Sequence, residues 1–308
     1  MGRGGYHRRA MSSTPTTAGE VEIVKKPFEA ETYDVMEGAA RWEARVHDHG
    51  LVALIDVMPR FAPVGKTADF AIVQAARVSY GEGTKQVNED RGLIRYLARH
   101  RHTTPFEMVE FKFHHVMPIF VARQWIRHRT ANVNEYSARY SVVRDRFFKP
   151  TTENVRRQSA SNRQGGEEPM DTVTAQDFLN YLDEVEKSYE RYQEFLDKGV
   201  AREIARIALP ASVYTEWYWK IDLHNLFHFL SLRMDPHAQQ EIRDYATAMF
   251  ELVRPIVPIA AEAFIDYNFE GMHLTRLEIE ALRSGGAINT SNKREAAEWE
   301  EKRKRLGV

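Results

Sequence analysis

The chain reads as an α/β or α+β protein, and three observations lead there. Apolar or aromatic runs of strand length occur at 51–57, 109–116 and 213–223. Segments with apolar residues at helical spacing lie at 68–78, 90–100, 171–198 and 236–253. Gly and Pro punctuate the joins between the two kinds. Period-two alternation marks a half-buried strand, and recurrence near 3.6 residues marks a helix. No internal repeat is visible, and 308 residues suffice for one large domain or two with a substantial core.

Taken in order, residues 1–20 are rich in Gly, Arg, Ser and Thr and read as a disordered lead-in, with Met11 an alternative start. The run 51–57 is a strand. Helices at 68–78 and 90–100 are separated by a turn at Gly81 and Gly83. Residues 102–107 form a short loop, because the residue before Pro105 is pushed out of helical geometry. A strand at 109–116 runs into a helix opened by Pro118, whose missing N–H costs nothing in a first turn.

Further on, 142–149 is expected as a strand and 150–169, which lacks periodicity, as a flexible excursion. One long amphipathic helix spans 171–198 and ends at Gly199, and a second, 201–209, is stopped by Pro210. The aromatic strand 213–223 precedes helices at 225–233, 236–253 and 256–267. This gives a single catalytic domain at 21–270 and a charged, helical tail at 271–308, broken at 284–286.

The formal net charge is −1, so overall charge gives no pull toward a polyanionic nucleic acid or membrane. No apolar run reaches the ~20 residues that span a bilayer. There is no cysteine, which excludes disulfides, cysteine-ligated metals and a thiolate nucleophile, and accords with a cytoplasmic setting.

Positive charge is concentrated instead between Gln124 and Tyr140. On the helix opened by Pro118, Arg123 with Arg127 and Gln124 with His128 form i,i+4 pairs, a polar stripe on a buried cylinder. One reading is an internal ion-pair network of Arg127, Arg129 and Glu135. A single glutamate, however, cannot neutralise Arg127, Arg129 and Arg139, and arginine's planar fork suits phosphate. Phosphate binding is the favoured reading.

Arg127-His128-Arg129, then Asn134-Glu135, Ser137 and Arg139-Tyr140, resemble the signature RHR-x2-S-x-NE-x-S-x-RY of the flavin-dependent thymidylate synthases, with Asn132 in place of the first serine. The resemblance extends, with gaps, over about 51–269. It implies a mostly antiparallel central sheet flanked by long helices, in a homotetramer whose sites are shared between subunits. It also implies methylation of dUMP to dTMP, with carbon from 5,10-methylenetetrahydrofolate and hydride from FAD reduced by NADPH. The missing cysteine fits, because thymidylate synthases of the other kind attack the uracil ring through a thiolate.

Carried over residue by residue, the resemblance places Gln124, Arg127, Glu135, Ser137, Ala138, Arg139, Arg206 and Arg233 at dUMP, with Arg139 toward its phosphate. His102, Thr104, Arg127, His128, Arg129 and Glu135 match flavin contacts. Asp222, His224 and His228 also fall at flavin-binding positions, where the family often has Asn, Arg and Asn, and Asp222 has the alternatives of facing a ribose hydroxyl or capping a helix. Arg233 matches an arginine that stabilises the ionised pyrimidine N3, so it is the residue of greatest chemical consequence. A fixed cation beside a developing anion needs no reorganisation during reaction. Ser137 lacks a base to make it a nucleophile and reads as a hydrogen-bond donor.

Two alternatives remain. His224 and His228 have the i,i+4 spacing of a metal-binding pair, with His237 and Glu241 nearby, which suits a metal-dependent hydrolase. Asn225 stands where the general base of such a motif would be. The Arg/aromatic cluster also suits RNA binding, although near-neutral charge counts against it.

Overall fold

The computed structural model describes residues 31–37, 41–78, 90–160 and 165–308. The lead-in at 1–20 and the turn at Gly81 and Gly83 lie outside these.

A five-stranded sheet organises the chain. Its strands are β2 (Trp42–Val46), β3 (Gly50–Met58), β5 (Glu110–Pro118), β6 (Asn132–Glu135) and β9 (Tyr214–Asp222). Their order is β2-β3-β5-β9-β6, and every neighbouring pair is antiparallel. Two short pairs stand apart: β1 (Thr32–Asp34) with β4 (Phe61–Pro63), and β7 (Arg156–Gln158) with β8 (Gly166–Pro169).

Alternation selects the buried face. Phe111, Phe113, His115 and Met117 of β5 and Trp217, Trp219 and Ile221 of β9 are all buried. Helices α1 (Asp69–Val78), α2 (Asp90–Arg99), α8 (Leu223–Arg233), α9 (Gln240–Val253) and α10 (Pro258–Phe264) contribute to the same core. On the opposite face Leu51, Ala53, Val116, Phe148 and Tyr214 form a smaller cluster. Gly50 is obligatory: a Cβ there would collide with the Tyr245 hydroxyl and the Val46 carbonyl.

Several elements differ from expectation. Residues 102–107 contain a short helix, α3 (Thr104–Glu107), because Pro105 sits in its first turn, where proline is tolerated. The helix after Pro118, α4 (Ile119–Trp125), ends at Trp125, so Arg127 and His128 do not continue a helical stripe. Pro118 is its N-cap and the last residue of β5. Residues 142–149 are not a strand; Phe147 makes one isolated bridge to Val213. The 150–169 segment carries the β7–β8 pair, with 161–164 outside the described residues.

The 171–198 helix is two, α5 (Thr172–Glu186), capped by Asp171, and α6 (Ser188–Asp197). Gly199 follows at a φ of +87°, which glycine adopts without steric cost. Next come α7 (Arg202–Ala205) and a 3-10 turn at Arg206–Ala208. The 236–253 helix starts later, at Gln240. The 256–267 expectation resolves into α10 and a π turn at Ile265–Phe269. The tail forms α11 (Arg276–Ser284) and α12 (Lys293–Leu306), separated at Gly285 in the left-handed region. No helix among the described residues is long and apolar enough to cross a membrane.

Candidate functional site

Strand β9 organises the candidate residues, which gather toward its two ends. At its start Thr215 Oγ1 donates to Glu135 Oε1 at 2.7 Å, fixing the carboxylate at the end of β6. The chain then turns through Ser137, Ala138 and Arg139, where Ser137 Oγ accepts from the Arg139 N–H at 3.4 Å. Glu135, Ala138, Arg206, Leu209, Val213 and Thr215 line one cavity of about 170 Å³. Three of the nucleotide candidates, Glu135, Ala138 and Arg206, therefore meet from β6, its following loop and the 3-10 turn.

Past the other end of β9, Asp222 caps α8. Its Oδ1 accepts from Asn225 N at 2.9 Å and its Oδ2 from Asn225 Nδ2 at 2.7 Å. Such a cap satisfies an otherwise unpaired helix N–H. The first turns of α8 then deliver His224 and His228 to a second cavity, of about 250 Å³, which His102 also lines. Its apolar walls include Leu97, Phe106, Phe227 and Phe264. Thr104 is exposed at the start of α3 and is absent from this lining. Thr215 and Asp222 mark opposite ends of β9, about 23 Å apart by strand rise.

His128, after α4, stands against α8. It is half-buried, and its Nε2 accepts from Arg233 Nε at 3.0 Å. Its ring packs edge-on to Phe229 at 4.8 Å and faces His228 at 6.2 Å. Burial, then the charge of Arg233, then His228 hold its pKa down to about 4. Burial also pushes the Arg233 guanidinium below the usual arginine range, although arginine stays charged at neutral pH.

The remaining arginines are not buried. Arg127, Arg129 and Arg139 are exposed in the single chain, and Arg206 and Arg233 are partly buried. Among the described residues none of these five pairs with a carboxylate. The internal ion-pair network is therefore overturned, since Glu135 bonds to a threonine instead. No group of three or more His, Asp or Glu side chains among the described residues is arranged to hold a metal, and His237 pairs with Asp235.

Three contributors escaped the sequence reading. Thr215 was detectable as a polar residue on the buried face of an aromatic strand. Arg101, at a φ of +56° and in the larger of these two cavities, carried no local signal, nor did Asn268.

An antiparallel sheet thus carries toward its two ends a small cavity with Arg206 and Glu135 and a larger apolar cavity rimmed by His102, His224 and His228. The family model described as thymidylate synthase complementing protein matches residues 55–259. A flavin-dependent thymidylate synthase of Dictyostelium discoideum is 68% identical over 291 residues, covering 94% of this chain and 96% of that one. A flavin-dependent thymidylate synthase of Wolbachia pipientis wMel is 52% identical over 242 residues, covering 78% and 82%. Among solved structures, a UMP/dUMP methylase PolB from Streptomyces cacaoi bound with 5-Br dUMP superposes with a TM-score of 0.63 at 33% identity, covering 74% of this chain and all of that one. The chain belongs to the flavin-dependent thymidylate synthase family.

Proposed function

We propose that the protein methylates dUMP to dTMP as a homotetrameric, cytoplasmic FAD enzyme. The observation that carries this is the pair of cavities toward opposite ends of β9, one lined by Arg206 with Glu135 and Ala138, the other rimmed by His102, His224 and His228, in a chain whose described residues leave Arg127, Arg129, Arg139, Arg206 and Arg233 without carboxylate partners. Unpaired guanidinium groups call for anionic ligands, and the uridylate phosphate and flavin pyrophosphate are two of suitable kind. When bound, FAD reduced by NADPH supplies the hydride, and 5,10-methylenetetrahydrofolate supplies the carbon.

The chain's own residues then position and polarise. Arg206 and Arg139, with Ser137 and the Ala138 backbone, hold the nucleotide phosphate and sugar beside Glu135. Arg233, its Nε engaged by neutral His128, points its remaining N–H groups at the pyrimidine and stabilises charge that develops on N3. His102, His224 and His228 line the apolar cavity that suits the cofactor. Arg127, His128, Arg129 and Thr104 complete its contacts, while Asp222 shapes the site by capping α8. The placement of the two cavities toward opposite ends of β9 supports active sites completed by a second copy, since reacting rings must touch.

The test is the visible spectrum of purified protein, before and after NADPH without oxygen, followed by dUMP and methylenetetrahydrofolate with product analysis. A yellow protein that bleaches with NADPH and forms dTMP is expected. A colourless protein that remains so after incubation with FAD would end the proposal.

A further inference from the structure

Helix α2 ends in a closure that glycine normally makes. The Arg101 N–H donates to the Ala98 carbonyl at 3.2 Å, and the His102 N–H donates to the Leu97 carbonyl at 2.9 Å. This crossed pair satisfies the last carbonyls of a helix and needs a left-handed residue just beyond it. That residue is Arg101, at a φ of +56°. Glycine takes this conformation freely, whereas the Cβ of any other residue crowds the next carbonyl oxygen. A large side chain kept at such a point, against its backbone preference, is a pointer to function.

The surroundings of Arg101 say which function. Arg91 and Arg95 of the same helix pair with Glu262, and Arg95 also with Asp266. Arg101 forms no ion pair among the described residues. It is exposed, yet it lines the cavity of about 250 Å³ together with His102, His224 and His228. Among the described residues of that lining it alone is charged at every pH, and no carboxylate accompanies it. Apolar walls suit a planar ring, and a solvent-facing cation beside them suits an anion joined to that ring. Both ring systems of oxidised FAD are neutral near neutral pH, so its charge lies on the pyrophosphate alone. We propose that Arg101 is a cofactor-binding residue that pairs with the pyrophosphate of FAD at the mouth of this cavity; this rests on the assignment of the cavity to the flavin.

The experiment titrates oxidised FAD into FAD-free protein at about 0.1 M and about 1 M salt, where charges are screened beyond roughly 10 Å and 3 Å. It compares wild type with Arg101→Gly, Arg101→Asn and Arg101→Lys. Glycine and asparagine are both at home in the left-handed region, so both variants should keep the thermal midpoint of the FAD-free protein. At the lower salt both should bind FAD about tenfold more weakly, the worth of one charge-assisted hydrogen bond. Arg101→Lys keeps the charge without the planar fork and should lose about threefold. At the higher salt the tenfold gap should narrow to about threefold. Unchanged FAD affinity in both neutral variants overturns the proposal. So does a gap of the same size at both salts, because pairing with a phosphate is screened and packing against a ring is not. Arg101→Lys binding as weakly as Arg101→Gly, or a lowered midpoint in both neutral variants, overturns it too, since either assigns Arg101 a merely structural role. A wild type that binds no FAD at either salt would instead bring down the functional reading, and this proposal with it.

Discussion

Arg233 Nε donates to His128 Nε2 across 3.0 Å, joining the end of α8 to the loop that follows α4. The bond requires a neutral imidazole with its proton on Nδ1, and the depressed pKa of His128 secures that form. One edge of the guanidinium is thereby fixed, and its terminal nitrogens keep their hydrogen bonds for a ligand. A cation held by a neutral partner retains its full charge, which a carboxylate partner would cancel.

Arg233→Ala should therefore lower turnover by about a hundredfold or more, the usual cost of losing a preorganised charge stabiliser. The flavin spectrum should persist. Steady-state kinetics alongside cofactor absorbance decides the matter: near wild-type turnover would strip Arg233 of its role, and loss of both signals would point to misfolding.

The same pair predicts a dependence of stability on pH. The His128 pKa is about 4 in the fold and about 6.5 when unfolded. The unfolded chain takes up the proton first, so stability is complete above about pH 6.5 and drains away as pH falls toward 4. Solvent reaches much of the ring, so the loss is discounted to about 1–2 kcal/mol. Urea unfolding at pH 7 and 4.5 should show His128→Phe losing less than wild type by about that amount. His115, fully buried and also held well below its usual pKa by burial, is common to both proteins and cancels. Equal losses would refute the assignment.

Much of this was legible in the sequence, for reasons particular residues make plain. The strand at β9 announced itself through alternating aromatics, and α8 through the apolar spacing of Leu226, Phe229 and Leu230. The Arg127–Tyr140 signature located the nucleotide candidates. What failed depended on tertiary context. Nothing local marks Trp125 as the end of α4, since Arg127 and His128 continue its spacing. The β7–β8 pair joins strands of three and four residues, too short for periodicity to show. The hydrogen bond from Gln124 Nε2 to Gln239 Oε1, joining α4 to the start of α9, crosses 115 positions of sequence. No window of sequence contains it.

The two cavities should separate by mutation. Arg206→Gln removes a charged donor from the nucleotide end and should weaken dUMP by roughly 10- to 100-fold, with little change for FAD. His224→Ala should do the reverse, weakening FAD more than dUMP. Isothermal titration with each ligand on each variant reads the separation. Equal losses of both ligands in both variants would mean that the assignment of one cavity to each ligand is mistaken.

The tail has its own anchor, in Glu278 of α11. Its carboxylate accepts from the Thr275 N–H at 2.7 Å, closing a capping box, and from Lys302 Nζ at 2.8 Å, joining α12. Burial pushes this carboxyl up, but Lys302 and Thr275 more than offset it, so its pKa lies below the usual glutamate range. The stabilisation is present above the ordinary glutamate pKa and disappears as pH falls through the lowered value. Glu278→Ala removes the side-chain half of the capping box and leaves Lys302 unpaired, a local cost of about 2–3 kcal/mol. Hydrogen exchange should speed up by roughly 30- to 100-fold across Lys293–Leu306, while amides of β5 keep their protection. If exchange in α12 were unchanged, the Glu278–Lys302 pair would not be what holds the two tail helices together.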